Sequence, residues 1–175
     1  MRSPFKLNLV EASGAEIDVC ITSPHRFFIE HQQELLPGWH SVSYLIIVLQ
    51  QSAMSLEQST TEVAAEKNRL RNKFLGFGRS LISRLKERGF DSDLFDPLSG
   101  YPLFNTPGIA LDDNAVVRAL LNYPLISYQQ CSLIAHPEWQ HCVYPATVAT
   151  NAPHDMVITC LGQIIGDCQW RLNSR

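Results

Sequence analysis

The run Glu62-Val-Ala-Ala-Glu-Lys-Asn-Arg-Leu-Arg-Asn-Lys-Phe-Leu-Gly-Phe-Gly-Arg-Ser-Leu-Ile-Ser-Arg-Leu-Lys-Glu-Arg88 carries the strongest periodic signal in the chain. Leu70, Phe74, Phe77, Leu81 and Leu85 recur at spacings of four, three, four and four, and Gly89 follows at once. That spacing predicts one long amphipathic helix with an apolar stripe, closed by a glycine. Lys67, Arg69, Arg71, Lys73, Arg79, Arg84, Lys86 and Arg88 place eight of the chain's fourteen basic residues on it. They read as a solvated outer face, with docking of an acidic partner, a phosphate or RNA as the alternative.

Strand patterns precede this helix. Phe5, Leu7 and Leu9 alternate with polar residues, as do Ile17, Val19 and Ile21, around Ser13-Gly14-Ala15. This predicts a β-hairpin with one buried face. Ser23-Pro24 supplies a cap and a first-turn proline for a helix through Phe27, Phe28, Leu35 and Leu36 that Pro37-Gly38 stops. Val42 to Gln51 reads as a strand covered on both faces, fading into a Ser/Thr-rich loop at 52–61.

Beyond the long helix, Asp91 to Gly100 reads as a surface loop, with Asp96-Pro-Leu-Ser-Gly100 as a turn. Asp112 to Leu121 reads as a short helix capped by Asp112 or Asp113. Leu125 to Ala135 and Cys142 to Ala149 suggest a second hairpin joined through His136-Pro-Glu-Trp139, and Pro145 makes its last strand an edge or a bulged one. Asn151 and Pro153 open a terminal helix whose stripe is Met156, Ile158, Cys160, Leu161, Ile164 and Ile165. The whole predicts an α+β fold, an antiparallel sheet with packed helices, as one domain over 1–175 with a C-terminal helical tail from about 152.

Composition bounds the function. The 175 residues are 45% hydrophobic and 18% charged, with a formal net charge of -3, which fits an ordinary globule and offers no broad positive field for nucleic acid or anionic membranes. The longest purely apolar run, Tyr44 to Leu49, is far below the roughly 18 residues of a membrane span. The N-terminal residues lack an apolar signal core, so a cytoplasmic location is expected. Cys20, Cys131, Cys142, Cys160 and Cys168 form no CxxC pair and read as reduced thiols.

No GxGxxG, Walker loop, GxSxG or HExxH is present. Attention therefore falls on Cys131, His136, His141 and Cys142, within twelve residues. Thiolate and imidazole suit zinc or copper, although Cys131 and His136, five apart, face opposite sides of a regular strand. Cys131 as thiolate with His141 as base across the hairpin is a second option, and a small buried hydrophobe is the plain one.

The segment Arg88-Gly-Phe-Asp-Ser-Asp-Leu-Phe-Asp-Pro-Leu-Ser-Gly100 resembles the methylmalonic aciduria and homocystinuria type D proteins. The likeness continues through Cys131-Ser-Leu-Ile-Ala-His136, Trp139 and Thr150-Asn-Ala152 in the same order without a gap, and the long helix aligns as well, covering about residues 15–160. The resemblance implies a nitroreductase-like scaffold without flavin and an adaptor, not an enzyme, in intracellular cobalamin trafficking. Implied partners are a cobalamin-processing type C-like protein and, downstream, cobalamin-dependent enzymes. Its implied chemistry is a thiolate from a Cys-Cys pair meeting cobalt in a partner-presented cobalamin. Here the pair is Gln130-Cys131: Gln130 holds the position of the family's first cysteine, and Cys131 is the candidate thiol toward cobalt. The competing expectations are a flavin- or thiol-dependent enzyme on the same scaffold and a protein-interaction module that no longer contacts cobalamin.

Overall fold

The computed structural model describes residues 4–128 and 131–173. Its strands are β1 (Phe5–Val10), β2 (Glu16–Thr22), β3 (Tyr44–Gln51), β4 (Ser92–Leu94), β5 (Leu125–Tyr128), β6 (Cys131–Ile134), β7 (Val143–Thr150) and β8 (Arg171–Leu172). The helices are α1 (Arg26–Glu30), α2 (Gln32–Leu35), α3 (Thr61–Glu87), α4 (Asp113–Leu121) and α5 (His154–Asp167). Six strands form one antiparallel sheet in the order β4-β7-β3-β2-β1-β8, and β5 and β6 pair separately. The expected α+β architecture is therefore present, and it is compatible with a nitroreductase-like scaffold. Among the described residues no helix is long and apolar enough to cross a membrane.

The sheet is the middle of three layers, because successive side chains of a strand point to opposite faces. Ile46 and Val48 of β3, with Ile17, Val19 and Ile21 of β2, meet Phe74, Phe77, Leu81 and Leu85 of α3 and Val157, Leu161 and Ile164 of α5. Leu45, Ile47 and Leu49 point the other way, toward Phe28, Leu35, Phe95, Val116, Val117, Ile134 and Trp139. As expected, β3 is buried on both faces from Leu45 to Gln50. β2 departs from expectation: Asp18 and Cys20 are as buried as their apolar neighbours, since helices cover the face read as solvated.

α3 matches its periodicity closely. Thr60 caps it by accepting from Val63 N at 3.2 Å, and Gly89 leaves it at φ +84°, a left-handed value that suits glycine. Its basic residues, however, are mostly engaged within the molecule. Arg71 makes a two-pronged pair with Asp96 at 2.6 Å on each arm, Lys73 meets Glu11 at 3.0 Å, and Arg69 meets Glu66 at 2.7 Å. Arg84 pairs with Asp167, Arg88 donates to Gln163 at 3.2 Å, and Lys86 lies over Phe104 at 4.8 Å. Arg71, Lys73 and Arg84 thus tie α3 to neighbouring loops and to α5, while Arg69, Arg79, Lys86 and Arg88 remain exposed, so the solvated-face expectation holds for part of the helix.

Three further expectations are corrected. The first helix begins at Arg26 under a His25 cap and breaks at His31 into α1 and α2; the His25 ring nitrogen, not Ser23, accepts from Phe27 N at 3.2 Å. Residues 92–95 form a buried strand and bridge, not a surface loop. The acids there are satisfied internally: Asp93 collects the amides of Leu94, Leu103 and Phe104 and the side chain of Asn105. Finally, the second hairpin is β5–β6 alone, with Leu125 opposite Ile134 and Tyr128 opposite Cys131, while β7 joins the main sheet between β4 and β3.

Pro145 explains how β7 can be interior yet contain proline. Phe95 N donates to Thr147 O on the β4 side, so the backbone of Pro145, two residues earlier, also faces that side. β4 pairs only with Val148 to Thr150, so Pro145 lies beyond its end, where a missing N–H costs no ladder bond. The expected edge position is thus local to this half of the strand.

Phe77 is 7% exposed and stacks on Trp170 with centroids 5.7 Å apart. Phe77→Ala is expected to lower unfolding free energy by about 3–5 kcal/mol in denaturant titration, through lost burial and a cavity. Arg71→Ala strands the Asp96 carboxylate, only 13% exposed, and should cost about 1–3 kcal/mol rather than nothing. An unchanged midpoint for either variant would contradict the packing described.

Candidate functional site

The hairpin bearing Cys131 borders an open cleft of about 480 Å³. Lys67, Asn68 and Arg71 of α3 form one wall, residues 97–100 another, and Ser132, Leu133 and Ile134 of β6 stand with Val143, Tyr144 and Pro145 of β7. The first turn of α4 supplies Asp112, Asp113 and Asn114. Each wall is fixed locally. Gly100 N donates to Asp96 O at 2.7 Å to close the turn, and Gly100 sits at φ +75°, where an added Cβ would lie 2.6 Å from Leu111 O. The Asp96 carboxylate is held by Arg71, so this turn is clamped onto α3.

α4 starts where three consecutive polar residues take three different tasks. Asp112 caps the helix, accepting from Asn114 N at 2.9 Å and Ala115 N at 3.2 Å. Asp113 turns inward and accepts from the Thr147 hydroxyl on β7 at 2.6 Å. Asn114 turns to the hairpin and donates from its amide to Ser132 O at 2.8 Å. Burial pushes the Asp113 carboxyl up to about 7 from 3.8; the Thr147 bond opposes that rise, and the charges of Asp112 and Asp96 add to it. The doubled acid was legible only as a cap, because nothing local distinguishes the inward from the outward carboxylate.

Of the residues singled out in the sequence, Cys131 opens β6 opposite Tyr128, while Gln130 lies outside the described residues. His136, His141 and Cys142 do not share a hairpin with Cys131, so the proposed Cys131–His141 pairing across strands loses its geometric basis. The two histidines go to different carboxylates. His136 Nε2 contacts Asp18 Oδ2 at 3.2 Å, and His141 Nε2 lies 3.4 Å from Glu57. His136 Nδ1 accepts from Glu138 N at 3.2 Å and Trp139 N at 3.1 Å, which assigns the ring proton to Nε2, donating to Asp18. The ring also stacks on Trp139 at 3.9 Å. Among the described residues no three His, Cys, Asp or Glu side chains are grouped to hold a metal ion.

Asp18 is the residue most hidden from sequence reasoning. It sits between Ile17 and Val19, where alternation suggests a solvated side chain, yet it is 1% exposed. Burial would raise its pKa, but hydrogen bonds from His136, Asn8 and Lys6 and the Lys6 charge, 2.5 Å away, bring it below the ordinary value. The buried polar cluster is thus structural, joining β1 and β2 to the segment after β6.

The remaining thiols are held protonated. Burial pushes Cys20 up to about 12, with the Asp18 charge adding to it, and burial is also the leading cause of the raised values of Cys142, Cys160 and Cys168. All four are free.

In comparison with known proteins, the family model described as methylmalonic aciduria and homocystinuria type D protein matches residues 8–161. No curated protein matches the sequence.

Asp113 predicts a pH dependence whose sign follows from its raised value. Between about pH 4 and 7 the folded chain keeps a proton that the unfolded chain releases, so this group makes stability fall as pH rises. In denaturant titrations Asp113→Asn should remove that slope and gain on wild type between pH 5 and 8. Parallel pH curves for the two proteins would contradict it.

Proposed function

The chain belongs to the methylmalonic aciduria and homocystinuria type D protein family, and on that premise we propose that it is an adaptor that hands on cobalamin, with Cys131 lending its thiolate to cobalt. Family membership implies a role in cobalamin trafficking; the adaptor mode, the ligand and the partner are our reading. The protein acts as a carrier rather than a catalyst, in the reducing cytoplasm. Cobalamin reaches it on a type C-like partner and leaves toward cobalamin-dependent enzymes.

The family match is the observation that carries this reading, and two features of the structure support it. The cleft is of a size typical of sites for drug-sized ligands, roughly 300–1,000 Å³, and a corrin with its nucleotide tail is larger than such ligands. A cobalamin presented by a partner, meeting the outer hairpin, suits this surface better than one enclosed by the chain. The second feature is the state of the other thiols. A soft donor competes for cobalt as thiolate, and Cys20, Cys142, Cys160 and Cys168 are each pushed toward the protonated form. Gln130 beside Cys131 leaves one cysteine where the family has a pair.

The test is the visible spectrum of cobalamin mixed with the protein, with and without a candidate type C-like partner. Wild type should produce a thiolate-type change that Cys131→Ser abolishes and Cys142→Ser retains, with both variants folded by circular dichroism. Retention in Cys131→Ser with loss in Cys142→Ser would overturn the assignment to Cys131 and move the ligand to the residue before β7. A signal that appears only in Gln130→Cys would mean the adaptor fold lacks the ligand, and a wild type silent beside a competent partner would remove cobalamin contact altogether.

A further inference from the structure

The β5–β6 hairpin is secured unequally along its length. At its base Leu125 pairs with Ile134, Ile134 is 2% exposed in the core, and Ala135 N donates to Pro124 O at 2.9 Å. Toward the other end, where Tyr128 faces Cys131, the neighbouring Ile126, Ser127 and Ser132 are exposed. Among the described residues, one hydrogen bond reaches from the paired strands to another element: Asn114 Nδ2 to Ser132 O, 2.8 Å. It falls on the residue next to Cys131.

Asn114 is itself well placed to transmit position. Its backbone amide donates to the Asp112 cap, and its neighbour Asp113 is bonded to Thr147 in the middle of the main sheet. Thr147 lies in the sheet's buried interior, so the path from β7 through the first turn of α4 to Ser132 starts on a rigid support. Deepening the function proposed above, and resting on it for any consequence at cobalt, we propose that Asn114 is a positioning residue for Cys131, holding the outer half of the hairpin against the first turn of α4.

The seat of that turn is pH-sensitive. Asp113 faces the Thr147 hydroxyl and Tyr144 from β7, Asp112 on its own helix and Asp96 from the adjoining turn. Lys67 and Arg71 of α3 line the same cleft, with Arg71 already engaged by Asp96, and β6 contributes Ser132, Leu133 and Ile134 without a titratable group. Loss of the Asp113 proton adds a charge beside two other carboxylates, which weakens the turn's seat although the helix N-terminus favours an anion. The hairpin is therefore held more tightly below pH 7 than above it.

Amide hydrogen-exchange protection, read by NMR on the full chain, tests this without cobalamin. Asn114→Ala should lower protection of the Ser132 to Ile134 amides by about fivefold, the scale of one net hydrogen bond, with the six-stranded sheet unchanged. Alkylation of Cys131, followed by peptide mapping against the exposed Cys168, should quicken in step. Asn114→Gln, which keeps an amide donor, should recover part of both effects. Wild type should lose hairpin protection between pH 6 and 8, and Asp113→Asn should not. Unchanged hairpin protection in Asn114→Ala overturns the proposal, and so does an equal loss across the whole sheet, which would make Asn114 merely stabilising. A hairpin that responds as expected in a protein silent toward cobalamin would refute the proposed function and leave the positioning role intact; a thiolate spectrum indifferent to Asn114→Ala would do the reverse.

Discussion

Double-sided burial of β3 is the constraint on which the rest of the structure depends. Leu45, Ile47 and Leu49 fill one face and Ile46 and Val48 the other, each side chain contributing about 1.5–3 kcal/mol on burial. A strand apolar on both sides cannot lie at a solvent boundary, so helices must cover both faces of its sheet. α3 and α5 take one face. The second face is left to α1, α2, α4 and the segments around β6, and the cleft forms where α4 and β6 come up against the N-terminal half of α3. The cleft is thus bounded by the long helix on one side and by short pieces, the 97–100 turn, the start of α4 and β6, on the others.

Charge is spent on joining those pieces. The basic residues of α3 read in sequence as a solvated face, but Arg71, Lys73 and Arg84 each close on a carboxylate from a different element. The buried Asp18–His136 pair, with Lys6 closing on it from the surface, does the same for the sheet's β1–β2 side. Partly buried and multiply bonded, such groups specify which segments meet more than they add to net stability. The outer half of the β5–β6 hairpin is exposed at Ile126, Ser127 and Ser132, and among the described residues one hydrogen bond, from the Asn114 amide, joins its paired strands to another element.

Periodic and capping signals in the sequence were sufficient for β1–β2, β3, α3, α4 and α5. In each, local propensity and apolar spacing agree, and for α3 and α4 a terminal residue, Gly89 or Asp112, points to the same element. The family likeness was also legible, because ordered short motifs survive in one dimension. By contrast, the β5–β6 hairpin turns where no Asn-Gly or Gly-rich pair marks it, and His136-Pro137 imitates a hairpin turn while it redirects the chain into the main sheet. Asp93 falls in a stretch that reads as a surface loop and Asp113 reads as a helix cap, while Asp18 breaks an apolar alternation, because an isolated sequence does not reveal which carboxylates will be satisfied from 12, 34 or 118 residues away.

By itself the sequence determined the class of fold, the long helix and its buried stripe, and the family. Only the tertiary structure decided that the strand of Cys131 pairs with that of Tyr128 and not with β7, that the half-buried Asp113 turns to Thr147, and that Asn114 reaches Ser132. The physical reason is range. Helix periodicity, caps and strand alternation arise from contacts a few residues apart, whereas the burial of a carboxylate and the anchoring of an outlying hairpin depend on which distant segments the packed sheet brings against them.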